Sequence, residues 1–334
     1  MSSALPRLVS APMAGGPTTV ALARAAASAG AFPFLAGGYR APGALAEEIG
    51  QLRDLAGFGV NLFVPQTADA DRAAFAAYAD ELRDDAAAYG LTLDPDPRSD
   101  DDRYAEKVDL LVADPVAVVS FTFGLPSPRD VARLRAVGTR AFTSVTTPGE
   151  AARAAAVGVD GLVVQGFAAG GHSATFDAAT DPADVPTADL VRAVRARTDL
   201  TIVAAGGVAG PDDVRALVDA GADSVAVGTL LLRTDEAGTS PTHRAALADP
   251  RFAETVLTRA FTGRPARALR NGFADRRSGL TAYPAVHHLT RELRQAAGRA
   301  GDAERLHLWA GSGWRAAAEG PAADVFRQLA AGLP

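Results

Sequence analysis

Eight short apolar runs, each followed by an alanine-, leucine- and arginine-rich stretch with helical spacing, govern what this chain can become. They are Leu8–Ala11, Phe34–Ala36, Gly59–Phe63, Ala117–Thr122, Ala141–Val145, Gly161–Val164, Thr201–Ala205 and Ser224–Val227. Short β-branched runs that end in Gly, Pro or a polar residue read as buried strands. The intervals accommodate crossover helices, and eight parallel strands is the count that closes a barrel. The expected fold is therefore α/β, a TIM (β/α)8 barrel. Two units look alike: Val157-Gly158-Val159-Asp160 before the sixth run and Ala220-Gly221-Ala222-Asp223 before the eighth. In each, Gly ends a helix in a left-handed conformation and Asp shapes the turn into the strand.

The pattern breaks twice. An Ala-rich stretch, Ala68–Tyr89, with the acidic run Asp94–Asp102 behind it, is inserted after the third strand, and the acidic run reads as a solvated loop. From about Thr239 the strand signals stop, and the chain reads as helical through Arg299, punctuated by Pro241, Pro250, Pro265 and Pro284. Leu306–Trp314 reads as an apolar return before a final helix from about Pro321 to Leu329. The expected division is a barrel of residues 1–240 and 305–334 with a small helical cap domain of residues 241–304.

Composition removes several chemistries. The chain has 334 residues, is 48% hydrophobic and has no cysteine, so thiolate catalysis, iron–sulfur clusters and cysteine-ligated zinc are excluded. Lys107 is the only lysine, and its place at a helix reads as a solvated charge rather than a Schiff-base group. A formal charge of −6, with Arg and acid alternating, argues against nucleic acid and for a small-molecule partner. The stretch from Val108 to Leu125 is broken by Asp109, Asp114 and Pro115, so no membrane span is expected, and the N-terminus lacks a signal-peptide core. A cytoplasmic protein, monomer or homodimer, is the expectation.

In a barrel of this kind function lies on the loops after the strands. After the seventh run stand Gly206 and Gly207, and after the eighth Gly228 and Thr229. Backbone N–H groups at helix starts, without side chains in the way, make a phosphate cradle. Glycines after one strand serve tight turns; the same signal on two adjacent strands points to phosphate. The loop after the sixth run, Gln165 to Ser173, ends on His172, which can act as base or donor near neutral pH. His243, His287, His288 and His307 lack that setting and metal-ligand spacing; His287 and His288 would face the pocket if the cap covers it, and otherwise read as solvated or helix-terminus residues. For Asn61 and Gln165, amides at strand ends, a side chain that only satisfies backbone is one reading, and the pair also suits the polar edge of a flat heterocycle or its sugar chain.

The segments Ala11-Pro12-Met13-Ala14-Gly15-Gly16, Gly59-Val60-Asn61-Leu62-Phe63, Gln165-Gly166 with Ala169-Gly170-Gly171-His172, Ala205-Gly206-Gly207-Val208 and Val227-Gly228-Thr229 resemble the nitronate monooxygenases. The resemblance reaches Gly263-Arg264-Pro265-Ala266-Arg267 and Leu308-Trp309-Ala310-Gly311-Ser312-Gly313, where family members usually carry Gln at the position of Ser312. It implies an FMN-bearing barrel that oxidises alkyl nitronates, such as propionate 3-nitronate, with O2 to a carbonyl compound and nitrite. By position, Ala11, Pro12 and Met13 would lie against the flavin ring, and Asn61 and Gln165 would hold its polar edge and ribityl chain. Gly206, Gly207, Gly228 and Thr229 would take the phosphate. Gly170, Gly171, Trp309, Gly311 and Ser312 would complete the flavin site, with His172 facing a nitronate or nitroalkane. No metal is implied. An FMN-dependent, NAD(P)H-using enoyl-acyl-carrier-protein reductase shares the barrel, phosphate loops and Gly-Gly-His segment, and a flavin-binding protein without turnover is the alternative of a different class.

Overall fold

The computed structural model describes residues 4–66 and 70–334. All eight expected barrel strands form, each within about one residue of its sequence-based limits: β1 (Leu8–Ser10), β2 (Phe34–Ala36), β3 (Gly59–Phe63), β4 (Val118–Thr122), β5 (Arg140–Val145), β6 (Gly161–Gln165), β8 (Thr201–Ala205) and β9 (Ser224–Val227). Their ladders are parallel throughout, in the order β1-β9-β8-β6-β5-β4-β3-β2. Val9 bridges Phe32 just ahead of β2 and joins the two ends of the sheet. A TIM barrel results. Val9, Phe34, Val118, Phe142, Val203 and Ala226 fill its interior, while Leu and Val from the helices pack outside the strands. The likeness of the two repeated units has a physical basis. Gly158 and Gly221 take φ of 84° and 105°. Asp160 accepts from Ala141 N at 2.9 Å and Asp223 from Ile202 N at 2.8 Å, so each carboxylate caps the start of the neighbouring strand.

The second break is not wholly helical, contrary to expectation. β10 (Thr255–Thr258) and β11 (Ala266–Leu269) pair antiparallel, and β11 pairs with β7 (Gly171–His172) inside the loop that follows β6. β11 (Ala-Arg-Ala-Leu) lacks the β-branched run that marks a strand in sequence, and β10 (Thr-Val-Leu-Thr), though β-branched, is only four residues long. Helices Pro241–Ala246, Gly272–Arg276 and Ala285–Arg299 make up much of the rest. The insert after β3 joins this layer: Phe75, Tyr78 and Leu82 of its helices pack with Phe261, Phe273, Val286 and Leu293. The expected start of that insert at Ala68 lies outside the described residues.

Two charge assignments are corrected. Lys107 is buried, 1% exposed, and pairs with Asp102 at 2.7 Å. Asp102 also accepts from Tyr39 N at 3.0 Å. The acidic run is therefore solvated only in part, because its last member anchors the loop after β2. Sequence spacing carries no information about such a long-range partner. Among the described residues no helix is long and apolar enough to cross a membrane.

Asp85 ties the insert to the rest of the upper layer. It accepts from Arg277 Nε at 2.9 Å and from Arg305 Nε at 2.7 Å, two residues far along the chain. Burial opposes its ionisation, but hydrogen bonds from Arg305 and Arg277 hold its carboxyl below the usual carboxylate range. Asp85→Ala strands both guanidinium groups. A loss of about 2 kcal/mol is expected, less than for a fully buried pair because both arginines reach solvent. A lowered urea midpoint checks this, and an unchanged midpoint would contradict it.

Candidate active site

Parallel strands in a closed barrel bring all their C-terminal ends to one rim, and here the rim opens into a cavity of about 1100 Å³ beneath the upper layer. Ala11, Pro12 and Met13 after β1, Asn61 in β3, and Gln165, Gly170, Gly171 and His172 around the β6 loop line it. So do Gly206, Gly207, Gly228 and Thr229 after β8 and β9, and Trp309 and Gly311 on the return. Ser312 lies one layer back: its Oγ is 3.9 Å from where a Cβ on Gly207 would stand, and its N–H donates to Ala168 O at 3.0 Å.

Gly206 and Gly207 take φ of 110° and 85°, which L side chains rarely adopt. Among the described residues, the N–H groups of Gly206, Gly207, Gly228 and Thr229 have no hydrogen-bond acceptor. Thr229 Oγ1 accepts from Gly311 N at 3.0 Å, which leaves its proton free to donate. Gly170 and Gly311 are small for another reason. A Cβ on Gly170 would stand 2.4 Å from Gly311 N, and one on Gly311 2.7 Å from Ala168 O, so the two loops touch backbone to backbone.

The amides differ in how committed they are. Asn61 Nδ2 contacts Ser120 O at 3.2 Å, Ser120 Oγ at 2.9 Å and Thr122 Oγ1 at 2.9 Å. The Ser120 carbonyl can only accept, which fixes the amide orientation and leaves Oδ1 as an acceptor on the cavity wall. Gln165 staples its own loop: Nε2 donates to His172 O at 3.1 Å and Oε1 accepts from Ala174 N at 2.7 Å. With the β7–β11 pairing, that staple sets the position of His172.

His172 Nε2 lies 2.9 Å from Thr262 Oγ1, and the ring is enclosed by Phe123, Tyr283 and Trp309 with centroids 5.3 to 5.8 Å apart across the cluster. Burial, helped by the positive charges of Arg264 and Arg294, lowers its pKa to about 3, so the imidazole is neutral at ordinary pH. Nδ1 has no hydrogen-bond partner among the described residues. If Thr262 donates to Nε2, Nδ1 carries the proton and donates; if Thr262 accepts, Nδ1 is a base.

A family model for nitronate monooxygenases matches residues 3–332. The chain belongs to the nitronate monooxygenase family. It is an oxidoreductase. A nitronate monooxygenase of Pseudomonas aeruginosa is 38% identical, over 96% of this chain and 94% of the relative, and a probable nitronate monooxygenase of Staphylococcus aureus is 30% identical, over 96% and 92%. A nitroalkane oxidase from Streptomyces ansochromogenes has a TM-score of 0.93 and 44% identity, covering 99% of this chain and 96% of that one. FabK from Thermotoga maritima, at 22% identity and a TM-score of 0.71, shares the fold.

The cavity wall holds further polar and aromatic groups. Tyr39, after Gly37-Gly38, lies on the cavity wall, stacks on His287 with centroids 4.2 Å apart, and its hydroxyl is 3.2 Å from that of Tyr283. The Gly-Gly pair after β2 repeats the signal read after β8 and marks this loop too. His243, His287 and His307 also line the cavity, and His287, expected to be solvated or at a helix terminus, is buried there. The upper layer folds over the barrel mouth, so polar positions on its helices face inward. His288 alone keeps a more open setting, 3.1 Å from Asp100.

Burial lowers the pKa of His243 to about 4 and that of His287 well below its usual value. Such histidines are neutral when folded and take up protons when unfolded near pH 6.5. The unfolded chain then binds more protons, so stability is full above about pH 6.5 and declines as pH falls towards the folded values near 4 and 3. The loss is at most about 1.4 kcal/mol per pH unit for each histidine. The urea midpoint at pH 5 is expected below that at pH 7; equal midpoints would contradict neutral burial.

Proposed function

We propose that the cavity holds FMN and that the protein oxidises alkyl nitronates with O2, without a nicotinamide cofactor, to a carbonyl compound and nitrite. The observation that carries this reading is the convergence of four acceptor-free backbone N–H groups and one neutral histidine on the same cavity. A phosphate dianion suits the donors of Gly206, Gly207, Gly228 and Thr229, because open amides at the positive-φ Gly206 and Gly207 and at the start of the helical turn Thr229–Leu231 replace its lost water. Asn61 Oδ1 supplies an acceptor for an N–H of a flat heterocycle, and Ala11 to Met13 supply an apolar bed for its face. FMN, when bound, supplies the electron transfer between substrate and oxygen.

The chain's own groups bind and orient the substrate. His172 is presented by the Gln165 staple and by β7, and donates through its free nitrogen to a nitronate oxygen when Thr262 donates to it. The reversed Thr262 hydroxyl makes the same nitrogen a base for the α-proton of a neutral nitroalkane. Phe123, Tyr283 and Trp309 keep water from the imidazole, which strengthens either contact.

Oxygen uptake by FMN-loaded protein with propionate 3-nitronate and ethyl nitronate, in the absence of NADH, tests the reading. Turnover is expected without a reductant, and an absolute requirement for NADH would sink it. His172→Ala is expected to lower kcat/KM by about ten- to a hundredfold on nitronates, mainly through kcat, because its hydrogen bond strengthens in the transition state. On nitroalkanes the expected loss is about a hundredfold or more. Unchanged rates on both would remove His172 from the site.

A further inference from the structure

Arg294, on the helix Ala285–Arg299, is 6% exposed and faces the cavity. Its Nε donates to Thr290 Oγ1 at 3.0 Å, and its Nη2 donates to His287 O at 3.0 Å and lies 3.2 Å from His287 Nδ1. These contacts fix the plane of the guanidinium, and all are to neutral groups. Nη1 has no hydrogen-bond partner among the described residues, and no described carboxylate forms an ion pair with Arg294. The titratable groups acting on it are Tyr39, Tyr283 and Arg291.

A desolvated cation without a counter-charge is costly, and folded chains seldom keep one that nothing neutralises. The neighbours do not neutralise it. Burial pushes the Tyr39 phenol up to about 12 and Tyr283 well above its ordinary value, so both stay protonated, while His172 and His287 are neutral. Arg294 itself falls only to about 10 through burial and remains a cation. The other buried guanidinium near His172, Arg264, lies over the Phe123 ring at 4.2 Å and is spent on Thr175 O and Gln66 Oε1. Arg291 and Arg299 line the outer cavity but are exposed, where water screens them. Arg294 is thus the buried positive charge that opens onto the site.

We infer that Arg294 supplies the charge that recognises the anionic substrate, its Nη1 edge meeting a nitronate oxygen, while His172 adds an uncharged hydrogen bond. This rests on the nitronate reading above and assigns the charge recognition to a residue other than the histidine. Arg294 is a substrate-binding residue, held in place by Thr290 and His287.

Nitrate, an inert planar oxyanion, is the probe, titrated calorimetrically into FMN-saturated wild type, Arg294→Gln, Arg294→Lys and His172→Ala. Arg294→Gln is expected to weaken nitrate binding by about tenfold or more, with Arg294→Lys in between and His172→Ala within about threefold of wild type. In turnover, Arg294→Gln is expected to raise KM for ethyl nitronate by a similar factor and to change kcat by less than about threefold. Arg294→Met, which keeps the apolar stem and removes the charge, replaces Gln should that variant fold poorly. Nitrate binding to the uncharged variants that matches wild type, or an equal loss in His172→Ala, would overturn the assignment. The difference between wild type and Arg294 variants excludes any anion held at the glycine loops. If the wild type oxidises no nitronate, the proposed function fails, while the nitrate difference still decides the role of Arg294.

Discussion

Closure of eight parallel strands into one ring is the constraint from which the site follows. The Val9–Phe32 bridge completes the ring, and every strand then delivers its last residues to the same rim. Beyond that rim the ladder ends, so the backbone N–H groups of Gly206, Gly207, Gly228 and Thr229 have no next strand to pair with. In most loops a side chain or a turn would satisfy them. Here Gly206 and Gly207 turn through positive φ, Gly228 and Thr229 start a short helical turn, and all four line a shared cavity.

The upper layer determines the electrostatics of that cavity. It buries aromatic rings, histidines and guanidinium groups over the barrel mouth and brings no carboxylate to Arg294. Desolvation acts on these groups in opposite senses. It neutralises His172 and His287 but cannot discharge an arginine, so the positive charge of the site collects on Arg294. A site of this kind favours a small anion over its neutral conjugate, and it offers hydrogen bonds without offering a proton from imidazolium.

The strands and the glycine rim were legible in the sequence because both are local signals: short apolar runs, and glycines at fixed offsets behind them. His172 was legible for the same reason, as the end of a glycine-rich loop. What failed was long-range. The acidic run reads as solvated until Asp102 is seen to hold the Tyr39 amide, and His287 reads as a helix residue until the helix is seen to lie over Tyr39. β11 pairs on one side with β10 and on the other with β7, a two-residue strand inside the His172 loop, and no periodicity announces so short a sheet. Gln165 lines the cavity and also spends both ends of its amide on its own loop, a geometry that spacing does not encode.

The central claim is that the open amides at the ends of β8 and β9 hold the phosphate of a flavin mononucleotide. Fluorescence titration of flavin-free protein with FMN and with riboflavin, which differ only in that phosphate, tests it most directly. The account predicts that FMN binds about a hundredfold or more tightly, as several charge-assisted hydrogen bonds require. Equal affinity for the two flavins would contradict it.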